Sequence, residues 1–215
     1  MLSQILGNPK FFFLLFAFDK ELARMAIERR CPMCGEALHV SNFQRKPRGG
    51  PAGLPKEQGL RFSLCCSKEG CRKRLTPASF RFLGRRVYFG AVLVLVSAMM
   101  NGVTPRRRQK LHDLCGADRR TLQRWRDLWE KEFPKTSLGR DILSRQSIYP
   151  RRDESIPRQI LRSISEKPLW KALLRFLYDL LPLTGRVSPD SSRSLRDAFF
   201  HAEDACFPLL FSVLS

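Results

Sequence analysis

Five of the seven cysteines in this 215-residue chain lie between positions 31 and 71, and their spacing constrains the fold more than any other feature. The first two form the motif CPMCG, in which Cys31 and Cys34 can bind one tetrahedral metal ion. The proline and the glycine of this motif favour a tight turn whose backbone N–H groups can donate to sulfur. A second group, Cys65, Cys66 and Cys71, follows about 30 residues later.

The two groups of cysteines predict one structural Zn²⁺ ion. The preferred ligands are Cys31, Cys34, Cys66 and Cys71. Cys65 is an alternative third ligand, because neighbouring residues of a strand point to opposite faces and only one of them can face the metal. His39 is a weaker alternative. Buried free thiols and a thioredoxin-like redox pair are competing interpretations, but the sequence after CPMCG lacks the helix that such a redox pair opens.

Positive charge is the second constraint. The chain has 39 lysines and arginines against 20 aspartates and glutamates, a net charge of +19. Such a charge opposes compaction unless an anionic partner is near, which indicates nucleic acid, an acidic protein or an anionic membrane surface. Arginine predominates, and its planar fork suits phosphate and guanine. The excess is concentrated in residues 61–86, with eight basic residues and one acidic, and in residues 104–126, with eight and two.

Neither of the longest apolar segments is long enough for a membrane-spanning helix. Residues 11–18 and 87–100 are both shorter than the roughly 20 residues that a span requires. Charged residues, beginning at Asp19, follow the first segment in place of the small residues of a signal-peptide cleavage site. We therefore expect no membrane partner, a reducing compartment, and a cytoplasmic, nucleoid-associated protein of bacterial origin.

Composition and periodicity predict a mainly α fold with a small zinc-stapled β unit. Residues 1–30 have helical spacing, and Asn8-Pro9 is a helix start signal. Residues 31–86 lose that period and become rich in Cys, Gly, Pro and Arg, which is typical of a zinc-ribbon-like unit. Within this unit, short strands are predicted at residues 39–43, 60–65 and 79–83, and a loop at residues 45–59.

Residues 87–133 are predicted to form a helix-turn-helix behind a buried helix at residues 87–100. Thr104-Pro105 supplies an N-cap and a first-turn proline for the next helix, which Gly116 ends. A third helix is predicted over residues 118–133, with its leucines and tryptophans spaced to face the core.

The third helix is predicted to read DNA, because arginine and glutamine near the start of such a helix can contact guanine and adenine in a major groove. The residues concerned are Arg119, Arg120, Gln123 and Arg124. Basic residues at the entries of the preceding helices are nearer to phosphates. These predicted phosphate contacts are Arg85, Arg86, Arg106, Arg107 and Arg108.

The remainder of the chain is predicted to be a linker followed by a helical segment. Residues 134–167 are polar and contain scattered prolines, which favours a linker. Residues 168–215 are predicted to be a C-terminal helical segment, with its clearest helix at residues 168–182. A wide apolar face on that helix predicts packing against the main body or a homo-oligomer with a second copy of the chain.

Three sequence motifs follow one another over roughly residues 31–133: CPMCG, then CC-SKEGC-RKR-LTP with SFRF, then GADRRTLQRWRDLW. This order resembles the N-terminal region of zinc-ribbon insertion-sequence transposases. The resemblance implies a four-cysteine zinc ribbon, recognition of DNA ends and a recognition helix with the pattern T-x-x-R-W. It places that pattern at Thr121, Arg124 and Trp125, and the metal ligands at the four preferred cysteines.

Transposases of this type continue into a nuclease domain with three carboxylates on a sheet, whereas the residues after Phe133 show no strand pattern. We therefore expect no enzyme but a DNA-binding recognition or accessory factor of a mobile element. Its expected partners are duplex DNA and a recombinase or another mobile-element protein. An RNA-binding zinc protein and a divergent catalytic recombinase are the alternatives. Aromatic side chains that can stack RNA bases are Phe43, Phe62, Phe80, Phe82 and Tyr88.

Overall fold

The structure is a computed structural model that describes residues 2–100, 104–151 and 153–185. The described chain is mainly helical and contains two small antiparallel sheets, which confirms the predicted fold class in this coarse form. The helices are α1 (Leu2–Gly7), α2 (Pro9–Glu28), α3 (Gly90–Met99), α4 (Pro105–Cys115), α5 (Arg119–Asp127), α6 (Ser137–Arg145), α7 (Ile156–Ser163) and α8 (Leu169–Asp179).

The N-terminal helices form as predicted, and α2 begins at the start signal in the sequence. The Asn8 side chain accepts a hydrogen bond from the backbone N–H of Lys10, and Pro9 occupies the first turn of α2. The phenylalanine- and leucine-rich first half of α2 is buried in the main core, with Phe11 and Phe12 fully inaccessible to solvent. Most of the apolar segment at residues 11–18 therefore packs in the core, and Phe13 is exposed.

Helix α3 is the centre of the main core. All residues from Gly90 to Ala98 are buried, and the helix contacts α1, α5, α7 and α8. It begins later than the predicted residues 87–100, because Tyr88 and Phe89 form isolated β-bridges to Arg48 and Phe82. There the N–H of Arg48 donates to the carbonyl of Val87, and the N–H of Phe89 donates to the carbonyl of Arg48.

Two small sheets occupy the cysteine-rich part of the chain. Three strands, β1 (Leu38–Val40), β4 (Leu64–Cys66) and β5 (Arg74–Leu75), form one sheet in the order β1-β4-β5. Strands β2 (Phe43–Gln44) and β3 (Leu60–Arg61) form the other. The predicted strands at residues 39–43 and 60–65 are therefore each divided between the two sheets.

The third predicted strand, at residues 79–83, does not form. The backbone N–H of Phe80 donates to the carboxylate of Asp19, and the N–H groups of Arg81 and Phe82 both donate to the hydroxyl of Ser79. Side chains thus take the donors that a strand ladder would use, and only an isolated bridge between Phe82 and Phe89 remains.

A buried ion pair fixes this segment to α2. Asp19 and Arg81 are both completely buried, and their Oδ2 and Nε atoms lie 2.8 Å apart. The same carboxylate accepts from the hydroxyl of Ser79 at 2.5 Å and from the N–H of Phe80 at 2.6 Å. Arg81 also donates to two backbone carbonyls, so both charges are fully hydrogen-bonded.

The prediction of a linker at residues 134–167 is wrong, because this segment contains α6 and α7. Both helices bury apolar side chains in the main core, Ile142 and Leu143 from α6 and Ile160 and Leu161 from α7. The two helices are short, of nine and eight residues. Their apolar spacing is brief and lies among arginines and serines, so periodicity alone did not reveal it.

Helix α8 packs on the chain's own core. Packing on the main body was one of the two alternatives predicted for this helix. Its aromatic residue Phe176 contacts Trp129 with ring centroids 5.7 Å apart, and Leu173 is fully buried. The apolar face is covered by the same chain, and the homo-oligomer through residues 168–182 stays a prediction. The predicted helical tail at residues 186–215 lies outside the described residues.

Candidate metal centre and basic surface

Four cysteines come together from the turn after α2, from the end of β4 and from the turn between β4 and β5. The sulfur atoms of Cys31, Cys34, Cys66 and Cys71 all lie within 4.8 Å of one another. Two of the separations are 3.8 Å, between Cys31 and Cys71, and 3.4 Å, between Cys34 and Cys66. Four sulfurs bound to one zinc ion at about 2.3 Å are roughly 3.8 Å apart, so the cluster has the dimensions of a tetrahedral site.

Tight turns bring each pair of cysteines to the cluster. In the first turn, the N–H of Gly35 donates to the carbonyl of Cys31, and Gly35 has the left-handed φ of 74° that glycine adopts most easily. In the second, the N–H of Cys71 donates to the carbonyl of Lys68, and the preceding glycine, Gly70, has a φ of 84°. Gly35 and Gly70 therefore allow the tight turns that bring the two pairs of cysteines to the cluster.

The thiols experience opposite electrostatic influences. Backbone N–H groups, above all that of Met33, lower the pKa of Cys31 to about 7. Burial and the neighbouring sulfurs raise the pKa of Cys66 to about 12. A bound cation would favour the deprotonated form of all four thiols, because its charge would stabilise four thiolates in one small volume.

The structure brings Cys66, and not the alternatives Cys65 and His39, into the cluster of sulfurs. Cys66 is completely buried and belongs to the cluster, whereas Cys65 points to the other face of β4 and donates to the carbonyl of Arg72. His39 pairs with Cys65 across the sheet and is exposed. In the part of the chain that the structure describes, the four cysteines are the one group of metal-ligating side chains that converge.

The unit around the cysteines has little apolar core of its own. Its buried hydrophobic cluster consists of Cys31, Cys66, Leu38 and Leu64, with a few half-buried neighbours. Two of these four residues are themselves candidate ligands. Since so small a core contributes little stability, a metal ion at the four sulfurs would be a major part of what holds the unit together.

The second candidate site is the pair of helices α4 and α5, joined by a short turn. Thr104 caps α4 by accepting from the N–H of Arg107, and Gly116 ends it in the left-handed conformation with a φ of 67°. Asp118 then caps α5 by accepting from the N–H of Thr121 at 2.6 Å. The sequence signals for the start of α4 and for the break at Gly116 are confirmed.

Helix α5 is shorter than the predicted helix at residues 118–133. It ends at Asp127 and continues as a π-helical turn, Leu128–Glu132, and a 3₁₀ turn, Phe133–Lys135. The added turns keep Trp129 buried, in contact with Phe133 at 4.9 Å between ring centroids.

One face of α5 anchors it to the core, as the spacing predicts. Leu122 and Trp125 are buried, and Trp125 meets the ring of Tyr88 edge-on at 4.9 Å. The hydroxyl of Tyr88 donates to the carbonyl of Gly116 at 3.1 Å, so one tyrosine contacts both α5 and the turn before it. These contacts fix how α4 and α5 are oriented relative to α3.

The opposite face of α5 is exposed and basic. Gln123 donates to Asp127 at 3.3 Å, and Asp127 in turn pairs with Lys131, so the amide is held towards the end of the helix. Thr121 is half-buried. The side chains that are exposed on this face are Arg119, Arg120, Gln123 and Arg124.

The predicted phosphate contacts differ in accessibility. Arg85, Arg106 and Arg107 are exposed and Arg108 is half-exposed. Arg86 is half-buried, and desolvation lowers its pKa, although the nearby carboxylate of Glu132 opposes this effect. Arg86 is thus a partly structural residue.

The sequence does not distinguish the basic residues inside the fold from those on its surface. Three guanidinium groups, those of Arg45, Arg61 and Arg81, surround the ring of Phe82 at 4.9, 6.0 and 4.9 Å. Arg61 and Arg81 are buried, so the positive charge of residues 61–86 is not all on the surface. Burial lowers the pKa of Arg61 to about 10, with Asp19 opposing the shift. No local pattern separates these arginines from exposed ones.

Within the described residues, no helix has both the length and the apolar character to cross a membrane. Comparison with models of protein families, with curated proteins and with solved structures finds no match for this chain. Any functional conclusion therefore depends on the residues and their geometry.

Proposed function

We propose that this protein binds duplex DNA through α4 and α5 used as a helix-turn-helix, with a structural Zn²⁺ ion in the adjacent cysteine unit. The observation that carries the proposal is the division of α5 into a buried face and an exposed basic face. Leu122 and Trp125 hold the helix on the core, and the arginines and Gln123 are left on the outside. A helix presented in this way has the form that enters a major groove.

The chemistry of the exposed face suits base edges. Arg120 and Arg124 supply forked donors for guanine, and Gln123 supplies an amide for adenine, all on the exposed face of α5. Arg106 and Arg107 lie in the first turn of α4, where they would contact the DNA backbone. Two classes of contact, one to bases and one to phosphates, are therefore assigned to two different helices.

Zinc is the metal proposed for the four cysteines, because a set of four thiolates at tetrahedral spacing suits Zn²⁺. The ion would hold the small sheets and their basic surface against the helices. Together with the resemblance to transposase N-terminal regions, this supports a role as a recognition or accessory factor of a mobile element. A recombinase of the same element is the proposed protein partner.

We propose duplex DNA rather than RNA as the ligand, because most of the aromatic residues that could stack RNA bases are not exposed. Phe80, Phe82 and Tyr88 are buried in the core, and Phe62 is half-buried against Phe16. Of the five candidates for stacking RNA bases, Phe43 alone is exposed. A stacking platform of the kind that single-stranded RNA requires is thus missing at these five positions.

The test begins with selection of bound duplexes from a random pool, with zinc quantified in the same preparation. Salt titrations then compare the selected duplex with a random one. Arg124→Ala is expected to weaken binding to the selected duplex by about 1–3 kcal/mol and to leave the random duplex nearly unaffected. Arg107→Ala is expected to weaken both equally and to reduce the salt dependence by about one counterion.

Arg140→Ala is the matched control, because Arg140 is exposed on α6, outside the two proposed DNA-binding helices. This substitution should change neither the affinity for the selected duplex nor the affinity for the random one. Equal weakening of both duplexes by Arg124→Ala would show that α5 contacts phosphates only, and failure to enrich any sequence would contradict specific recognition.

A further inference from the structure

The long loop between β2 and β3 encloses an open cavity of about 560 Å³. Residues 45–59 form this loop, and its ends meet where the N–H of Arg45 donates to the carbonyl of Gly59 at 2.9 Å. The loop itself lines the cavity, together with Gln44 and Phe89. The volume is within the range of small-ligand sites, and long loops with joined ends are frequently functional.

The loop is held in place by side-chain hydrogen bonds to residues outside it. The guanidinium group of Arg81, itself fixed by Asp19, donates to the carbonyls of Gln58 and Leu60 at 2.6 and 2.7 Å. At the other end, the guanidinium of Arg45 donates to the carbonyl of Gly84 at 2.9 Å. The cavity is therefore preformed, which reduces the entropy lost when a ligand binds.

Close backbone approach at the neck of the loop requires glycine. A Cβ atom at Gly59 would lie 2.4 Å from the carbonyl oxygen of Arg45 and 2.5 Å from the side-chain nitrogen of Gln44. The amide of Gln44 donates across the loop to the carbonyl of Lys56 at 2.6 Å. These contacts close the loop into a ring around the cavity.

The lining combines apolar walls with positive charge. Leu54, Phe89 and three prolines form the apolar part, and Lys46 and Lys56 are exposed at the cavity. No aspartate or glutamate is among the lining residues. Gln58 is the buried polar side chain of the lining, 3% exposed, and its Oε1 atom has no hydrogen-bond partner in the described chain.

We propose that this cavity binds one unpaired nucleotide of the DNA, with the base against the apolar walls and the phosphate at Lys46 and Lys56. An inorganic anion would satisfy the lysines but not the apolar walls, whereas a nucleotide satisfies both. The unsatisfied oxygen of Gln58 favours a base with an exocyclic amino group, which adenine, cytosine and guanine have, over thymine. The inference rests on the proposed DNA binding and adds single-strand capture to it.

The experiment compares four duplexes of one sequence: blunt, or with a three-nucleotide extension of dA, dT or abasic residues. Fluorescence anisotropy measures the affinity of the full chain for each. The dA extension is expected to tighten binding by about fivefold or more over the blunt duplex, and the abasic extension is expected to have little effect. The dT extension should give a smaller gain than dA.

Paired variants separate the cavity from general charge. Lys46→Gln with Lys56→Gln is expected to abolish the gain from the dA extension. The control, Lys68→Gln with Lys73→Gln, removes the same charge from exposed residues of the cysteine unit outside the cavity, and it should keep the gain. Gln58→Leu should remove the preference for dA over dT, and zinc content reports that each variant is folded.

Equal affinity of the natural chain for all four duplexes would overturn the inference, as would equal loss of the gain in both lysine pairs. A separate arm uses single-stranded dA of ten nucleotides. If this oligonucleotide binds and depends on Lys46 and Lys56 while blunt duplex does not bind, the cavity assignment stands and the helix-turn-helix proposal fails. If the blunt duplex binds, the oligonucleotide does not bind and the extensions do not change the affinity, the helix-turn-helix proposal stands and the cavity assignment fails.

Discussion

Replacement of Asp19 by alanine should destabilise the protein more than any other single loss of a carboxylate on α2. Its partner Arg81 is completely buried and would keep its positive charge without a counter-ion. Burial already lowers the pKa of the Arg81 guanidinium, and Asp19 is the group that opposes this effect. The Ser79 hydroxyl and the Phe80 N–H would also lose their acceptor.

The expected magnitude follows from those contacts. Breaking a buried ion pair by removing one partner costs about 3–5 kcal/mol, because the remaining charge stays desolvated. The carbonyls of Gln58 and Leu60 and the ring of Phe16, 4.4 Å from the guanidinium carbon, still stabilise Arg81, which favours the lower half of that range. Such a loss is a large part of the 5–15 kcal/mol that typically holds a domain together.

Urea denaturation followed by tryptophan fluorescence measures the change, since Trp125 and Trp129 are buried in the same core. Glu21→Ala is the control two residues away, where an exposed pair with Arg24 is screened by solvent and its loss should hardly move the midpoint. The double variant Asp19→Leu with Arg81→Met should be less destabilised than the sum of the two single variants, because it leaves no unpaired buried charge.

Equal shifts of the midpoint in Asp19→Ala and Glu21→Ala would contradict a buried ion pair of this importance. A loss in the double variant as large as both single losses added together would contradict it as well. Either result would mean that water or a rearranged side chain compensates Arg81, and that the pair does not fix the segment before α3 to α2.

Three further predictions concern the metal, the packing of α8 and a backbone contact. Cys34→Ser should reduce bound zinc from about one per chain to near zero by elemental analysis while the far-ultraviolet helix signal persists, because the helices have their own core. Leu173→Asp should lower the unfolding midpoint sharply in urea, since the leucine is fully buried; an unchanged midpoint would place α8 on the surface. Gly139→Ala should destabilise by about 1–3 kcal/mol or more, because its Cβ would lie 1.8 Å from the carbonyl oxygen of Phe133. Gly7→Ala, with nothing within 4 Å, should be neutral or slightly stabilising, and similar effects at both glycines would contradict the packing of α6.

Local signals in the sequence were sufficient for several elements. Asn8-Pro9, Thr104-Pro105 and Gly116 fix helix ends through bonds to residues a few positions away, so the chain near each signal determines the outcome. The helical spacing of apolar and basic residues in α5 likewise determined which face is buried.

The candidate metal ligands could be predicted only in part from residues that are close together in the sequence. The sequence alone brings Cys31 and Cys34 together, since the turn between them is short. The choice of Cys66 over Cys65 depended on the pairing of β1 with β4, because the register decides which of two neighbours faces the other cysteines. Strand pairing joins residues far apart in sequence, so spacing could not settle it.

What the sequence by itself determined about this protein is its helical character, its candidate metal site and the two faces of α5, because each depends on residues close together along the chain. Only the tertiary structure decided that Arg61 and Arg81 are buried, and that residues 45–59 surround a cavity. An arginine becomes interior when a distant carboxylate or carbonyl group meets it, as Asp19 meets Arg81 across 62 positions. A loop becomes a site when such interior groups hold its two ends, and no stretch of sequence contains both.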